Sequence, residues 1–263
     1  MGSASRVALA AATQQLAAAK GVSLATGEQL LAAGRAVESS AQLRSTLADP
    51  AVEPARKSAL LASIFGSLDK TAFGLLSGIV ESRWSDAGEL VDGIEEIGIR
   101  AIAQASGANA GIEAELFSFG RAVASDNELE LAVSSKLGSA DAKAALVSKL
   151  LAGKAHEGTV AIMRHLVQSP RGRRIGQLVS RAADIVASAN GALVATVTAA
   201  APLSATQLAA LEKTLSGRYG QTLRVNLNID PTIVGGLRVQ IGDDVIDGTV
   251  ASRLADLRIR LAG

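Results

Sequence analysis

The chain has 263 residues, which suggests about two domains. Hydrophobic residues make up 48 % of it but aromatics only 2 %, and alanine, the strongest helix former, fills the difference; thin helices in close contact are expected, without one large aromatic core. Lys plus Arg number 26 against 25 Asp plus Glu, and there is no cysteine, which argues against a nucleic-acid binder and excludes disulfides, thiolate metal sites and a cysteine nucleophile.

The spacing predicts an amphipathic helix over Arg6–Lys20, since Gln14 and Gln15 interrupt its apolar stretch too early for a signal peptide. Pro54 sits where a helix starts without needing a backbone donor, Leu60, Leu61, Ile64 and Phe65 form its apolar side, and Gly66 ends it. Phe73, Leu76 and Val80 mark the next helix. Ser85 is the expected cap of the one after, with Leu90, Ile94, Ile97 and Ala101 on one stripe. The lone Trp84 is expected to pack at a helix junction, not against a ligand.

A repeat runs through this region. Gly34-Arg-Ala-Val37 recurs as Gly120-Arg-Ala-Val123, inside longer matching segments 28–43 and 114–129. In the same register, 58–65 faces 144–151, and after a one-residue gap 79–82 faces 166–169. Ser139 is the cap that matches Pro54. The first copy has an additional helix, Arg6–Lys20, before it. The second has only the linker Ala105–Gly111, so a groove built with that helix is expected once.

Residues 185–211 carry no charge, but Asn190, Gly191, Pro202 and several Ser and Thr interrupt them. They read as a helix end, a strand Leu193–Thr198, a turn at Ala201-Pro202 and a new helix from Ser204 to about Ser216, bearing Leu208, Leu211 and Leu215, and not as a bilayer span. Leu223, Val225, Leu227 and Ile229 then alternate with Arg224, Asn226 and Asn228, as in a half-buried strand. Val239 and Ile241 alternate likewise, Gly242-Asp243-Asp244 reads as a hairpin turn into Val245-Ile246, and a last helix is expected from about Thr249, with Val250, Leu254, Leu257 and Leu261 on its stripe. The fold class is mainly α with a small α+β C-terminal domain: a six-helix bundle at 1–106, a partial helical duplicate at 107–190 and a β-α-β-β-β-α domain at 191–263.

Reactive chemistry finds little support. His156 and His165 share no helix face, and the HExxH, GxSxG and phosphate-loop patterns are missing. Asp243, Asp244 and Asp247 lie close together without a calcium-loop pattern and read as turn chemistry, so no metal and no cofactor is expected. Arg171, Arg173 and Arg174 form a basic run too short, and too free of aromatics, for nucleic acid. Gly235-Gly236 reads as a bulge or a close backbone approach.

The stretch 223–242, with Asp230 before its loop and the Gly235-Gly236 pair within it, followed by Asp247-Gly248 and a helix, resembles the delta subunit of F-type ATP synthase, the family of the oligomycin sensitivity-conferring protein. Residues 192–204 resemble that family's entry into its C-terminal domain, and 49–66 resemble its third and fourth N-terminal helices. Ala108–Asn190 is an extra segment relative to the family pattern, similar to the longer delta subunits of high-GC Gram-positive bacteria. The resemblance implies a non-catalytic stator clamp at the cytoplasmic face of the plasma membrane. Its partners are the alpha and b subunits, its link to the membrane is indirect, and no nucleic acid or small-molecule substrate is implied. It implies that the first and fifth helices receive an alpha N-terminal helix, through Val7, Ala10, Ala11, Leu16, Phe73, Leu76 and Val80, and that the domain bearing Asp230, Gly235, Gly236, Asp247 and Gly248 holds the end of b. A helical-repeat adaptor of an unrelated assembly explains the repeat but not the strands; a small-molecule enzyme would need a site that no motif shows.

Overall fold

A computed structural model describes residues 1–134, 138–220, 222–241 and 244–254. The chain forms two compact units, Met1–Val186 and Ala187–Gly263.

The first unit is helical. Helices α1 (Ser3–Ala18), α2 (Leu24–Ser39), α3 (Ala41–Ala48), α4 (Pro54–Phe65), α5 (Lys70–Glu81) and α6 (Ala87–Ser106) precede a short linker. Then come α7 (Ile112–Ser125), α8 (Asn127–Ser134), α9 (Ala140–Leu151), α10 (Glu157–Gln168) and α11 (Ile175–Ala189). The bounds of α8 and α9 are those of α3 and α4 moved by the offset of the repeated tetrapeptide, and α10 follows α5 with the expected extra residue. Position Gly34 lies against Ile94 of α6, and its counterpart Gly120 lies against Val179 of α11.

Local chemistry sets the helix starts. Ser23 accepts from the Thr26 amide in a capping box, and Ser40, Asp69 and Ser139 accept from the amides three residues on. The cap of α6 is Asp86, not Ser85: its Oδ1 accepts from the Glu89 amide at 2.8 Å, while the Ser85 amide donates to Ser5 Oγ on α1. A carboxylate at this position also complements the helix dipole. Ile64 is 46 % exposed, because α4 turns only the one-sided stripe Lys57, Leu61 and Phe65 inward. Trp84 packs at a helix junction as expected: it is buried on Gly93 and its Nε1 donates to the Ile79 carbonyl at 2.7 Å.

Two apolar cores fill this unit. One gathers α1, α5 and the inner sides of α2 and α6, with Leu30, Val37, Leu76, Ile79, Leu90, Ile94 and Ile97 fully buried. The other gathers α7, α9, α10 and α11 with Leu31, Ile99, Ile102 and Ala103 from the opposite sides of α2 and α6. The pair α2–α6, in the most extensive helix–helix contact among the described residues, is thus a wall shared by both cores.

The second unit is a four-stranded sheet of order β2–β1–β3–β4, built from β1 (Ala192–Ala199), β2 (Thr222–Ile229), β3 (Leu237–Ile241) and β4 (Asp244–Asp247). Helix α12 (Ala205–Tyr219) connects β1 to its parallel neighbour β2 and starts in a Ser204–Gln207 capping box. Strand β3 pairs antiparallel with both β1 and β4. Residues 250–254 are helical; Gly242 and Asp243 of the expected turn, and Leu257 and Leu261 of the expected stripe, lie outside the described residues. Ala195, Val197, Leu215, Leu223, Val239 and Ile241 make the core. Asn226, placed by alternation on the open face, is nonetheless buried, because it sits in mid-ladder opposite Thr196 of the central strand.

The shared wall gives the first prediction. A Cβ on Gly27 would stand 2.9 Å from the Gly98 carbonyl oxygen and 3.0 Å from the Ile102 amide nitrogen, both backbone atoms that cannot swing away. Gly27→Ala therefore lowers the stability of the helical unit by about 1–3 kcal/mol in denaturant titration, despite alanine's better helix propensity. Unchanged or raised stability would show that the two backbones have room to part.

Candidate functional site

Helix α1 buries Ser5, Ala8, Ala12 and Leu16, which recur at helical spacing, and α5 buries Ala72, Leu75, Leu76, Ile79 and Val80. Leu16, Leu76 and Val80, expected to line a groove, are core residues that support it from beneath. Val7 is 71 % exposed, Ala10 and Ala11 are exposed, and Phe73 is half-buried. At 100° per residue, Ala11 stands on the side of α1 from which Gln15 reaches α5, whereas Val7 and Ala10 both point away from the buried stripe.

The residues that shape the groove floor carried no prediction. Gly74 and Gly78, one turn apart, put two side-chain-free positions on one face of α5. Gln15 reaches across from α1, donates from Nε2 to the Gly74 carbonyl at 2.9 Å and lies over Gly78. A Cβ on Gly74 would meet nothing within 4 Å. Beside it opens a cleft of about 480 Å³ walled by Gln15, Ala18, Ala19, Lys20, Lys70, Thr71, Gly74 and Leu75. The glycine spacing was the available signal; the role of Gln15 was masked because a glutamine in a helix has no preferred partner in sequence.

The second copy places different chemistry on the same face. Ala161 and His165 of α10 stand where Gly74 and Gly78 stand on α5. Helix α10 contacts α2 and α6, so the wall of the first copy covers the side that α1 covers on α5. A cleft of about 440 Å³ remains between α2 and α10, with Arg35, Arg164 and His165 facing Glu28, Gln29 and Gln168.

In the second unit the Asp230, Gly235, Gly236, Asp247 and Gly248 positions form one backbone knot. Asp230 Oδ1 accepts from the Thr232 amide at 2.9 Å and from its hydroxyl at 2.6 Å, and Asp247 Oδ1 accepts from the Thr249 amide at 2.9 Å. Hydrogen bonding to Thr232 and to Thr249 holds both carboxyls below their ordinary range. The Gly248 amide donates to the Leu237 carbonyl and the Val250 amide to the Gly235 carbonyl. Gly236 has φ +83°, and a Cβ there would lie 2.8 Å from Thr249 Cα and nearer still to the Gly248 oxygen. The open sheet face carries a polar cleft of about 430 Å³ that includes Thr196, Thr198, Asn228, Arg238 and Gln240. Val234, Val250 and Leu254 are 85 %, 40 % and 63 % exposed.

His156 caps α10, its Nδ1 accepting from the Gly158 amide, and His165 is buried. Among the described residues no group of three His, Asp or Glu could hold a metal ion.

These features define a helical-repeat protein with a small α+β domain. Residues 99–261 match the family described as ATP synthase delta (OSCP) subunit, and the chain belongs to that family. It is 51 % identical over 227 residues to the ATP synthase subunit delta of Leifsonia xyli subsp. xyli, covering 86 % of each chain. It is 40 % identical to that of Streptomyces griseus subsp. griseus over 271 residues and the whole of both chains. A chain in the cryo-EM structure of the Toxoplasma gondii mitochondrial ATP synthase hexamer is similar at 23 % identity and a TM-score of 0.42, covering 64 % of this chain and 95 % of that one.

The family match begins inside α6 and runs through α7–α11. Ala108–Asn190, read from the sequence as lying outside the family pattern, therefore falls within it, and the first 98 residues precede the match. Two copies with the same helix order compete for one bundle pattern, and sequence likeness alone does not rank them.

Gly236→Val gives the second prediction. The left-handed φ and the backbone contact both forbid a branched side chain, so the variant loses the strand signal and cooperative melting of the second unit while the helical unit melts as before. Normal melting of both units would refute the knot.

Proposed function

We propose that this chain is a non-catalytic stator component of an F-type ATP synthase, joining the catalytic head to the peripheral stalk so that proton flow is coupled to ATP synthesis. The α1–α5 groove receives the N-terminal helix of an alpha subunit, and the second unit holds the C-terminal end of a b subunit. Among the described residues no helix is long and apolar enough to cross a membrane, and attachment at the cytoplasmic face comes through the assembled complex.

The observation that carries this reading is the floor of the α1–α5 groove. Gly74 offers open space on a helix face, and a second helix approaches most closely where side chains are smallest. The counterpart face of α10 lies against α2 and α6, and the cleft left beside it is lined by charged and polar side chains, which favours the first copy for the alpha helix although the family match falls on the second. For the b subunit, the support is the exposure of Val234, Val250 and Leu254, along with Ile229 and Val245, in the second unit; aliphatic side chains left open to water in this way suit a protein partner.

Deleting residues 1–20 is a poor test, because Ala8, Ala12 and Leu16 are core. Gly74→Leu fills the groove without disturbing the core beneath. It leaves the melting temperature unchanged or raised, since glycine inside a helix costs about 1 kcal/mol relative to better formers. It weakens binding of an alpha N-terminal peptide by about tenfold or more, or about 1.4 kcal/mol, in calorimetry. Undiminished affinity would move the peptide site elsewhere.

A further inference from the structure

The junction of the two repeats holds a buried cluster of charge. His165 of α10 is 3 % exposed and lies between α2 and α6. Arg35 Nη1 of α2 approaches its Nδ1 at 2.8 Å, and Glu95 Oε2 of α6 approaches its Nε2 at 3.2 Å. A guanidinium can only donate, so Nδ1 accepts, and the single ring proton sits on Nε2 and is donated to Glu95. The docked arrangement therefore requires a neutral imidazole of one tautomer.

The surrounding charges come from every neighbouring element. From the turn after α10, Arg171 Nη2 donates to Asp92 at 2.6 Å and to Glu95 at 2.8 Å, and Arg173 Nη2 reaches both Glu95 oxygens at 3.2 Å. Arg171 adopts φ +47°, a left-handed conformation that a non-glycine residue holds only under outside constraint; the two carboxylates supply it. At the cleft mouth Arg164 pairs with Glu28 at 3.7 Å, and Asp141 of α9 accepts from Gln168. The cleft lining thus sets Arg35 and Arg164 against Glu28, with Asp141 acting on Arg35 from outside the lining.

We propose that His165 is a proton-operated latch between the two helical repeats: a proton on Nδ1 sets donor against donor, displaces the Arg35 guanidinium and loosens α10 from α2 and α6.

Burial holds His165 below its ordinary value of 6.5, against the pull of Glu95, and Arg35 and Arg171 push it the same way as burial. Burial alone would raise Glu95, but the His165 hydrogen bond, Arg171 and Arg173 outweigh it and hold that carboxyl at about 2, so Glu95 keeps its charge through the range in which the latch works. A ring freed from the junction regains its ordinary value. The proton-binding difference thus favours the closed latch fully above about pH 6.5, and the advantage is lost as pH falls below it. At about pH 5.5 a ring that protonates only when freed, at 6.5, shifts the equilibrium toward opening by 1 + 10^(6.5 − 5.5), or about tenfold.

Hydrogen exchange on the full chain tests this, with rates corrected for intrinsic pH dependence. Between about pH 7.5 and about pH 5.5, exchange in α10 accelerates by about tenfold while α4 and α5 hold. His165→Gln keeps an amide donor for Glu95 and a carbonyl acceptor for Arg35 but cannot titrate, and its α10 shows no such acceleration. An equal acid response in His165→Gln, or constant α10 protection in the unaltered chain, overturns the latch. If the variant does not fold, the His165 ring resonances of the unaltered chain decide: titration below 6.5 together with faster α10 exchange supports the proposal, and titration at or above 6.5 overturns it.

Discussion

Backbone-level contact between α2 and α6 is the constraint on which the helical unit rests. Gly27 and Gly98 let the two helices approach until a single Cβ would meet a carbonyl. At that separation successive side chains point to opposite sides. Leu30 and Ile94 fill one core, while Leu31 and Ile102 fill the other. A chain with few aromatics gains little area per buried side chain, and using both faces of one helix pair recovers part of what large residues would supply. The small residues of this chain, alanine for its helix propensity and glycine in spite of its own, are therefore also a packing device.

That wall decides what becomes of the repeat. The second copy keeps the five helices that follow the first helix, α8, α9 and α10 with the lengths of α3, α4 and α5, and α7 and α11 shorter than α2 and α6, but among the described residues no additional helix of its own covers α10. Left alone, that face would expose Ala161 and Ile162; instead α2 and α6 lie against it. The same position is glycine in α5, under Gln15, and histidine in α10, between Arg35 and Glu95. Small residues keep a groove open for a partner in one copy, and a buried polar cluster closes the equivalent surface in the other. Burying such a cluster is costly unless its charges are paired, and Arg171 and Arg173 pair with Asp92 and Glu95 through their Nη atoms while each leaves its Nε without a partner.

Much of this was legible in the sequence. Period-two alternation marked β2 and β3, Pro54 and Ser139 marked helix starts, and the recurring Gly-Arg-Ala-Val marked the duplication, because each signal is local or self-similar. The glycine pair at 235–236 was recognisable as a close approach, although its partner, Gly248-Thr249, was not. Pairing at long range left no trace. Arg173 and Glu95 are 78 positions apart, and nothing in the basic run 171–174 itself points to carboxylates on α6. Leu16, Leu76 and Val80 were drawn into the groove because an apolar stripe looks the same whether it faces a core or a partner. The extra copy was assigned to 108–190 for a related reason: internal likeness cannot say which copy carries the family pattern.

The central claim is that one helix groove, between α1 and α5, docks the partner, and that the equivalent face of α10 is closed. The absence of native cysteine permits a direct measurement, disulfide trapping in the assembled complex between a single cysteine at Ala11 or at Arg164 and cysteines placed along the alpha N-terminal helix. The groove account predicts a cross-link from Ala11 and none from Arg164. Efficient trapping at Arg164, or none at Ala11 with the complex intact, would contradict it.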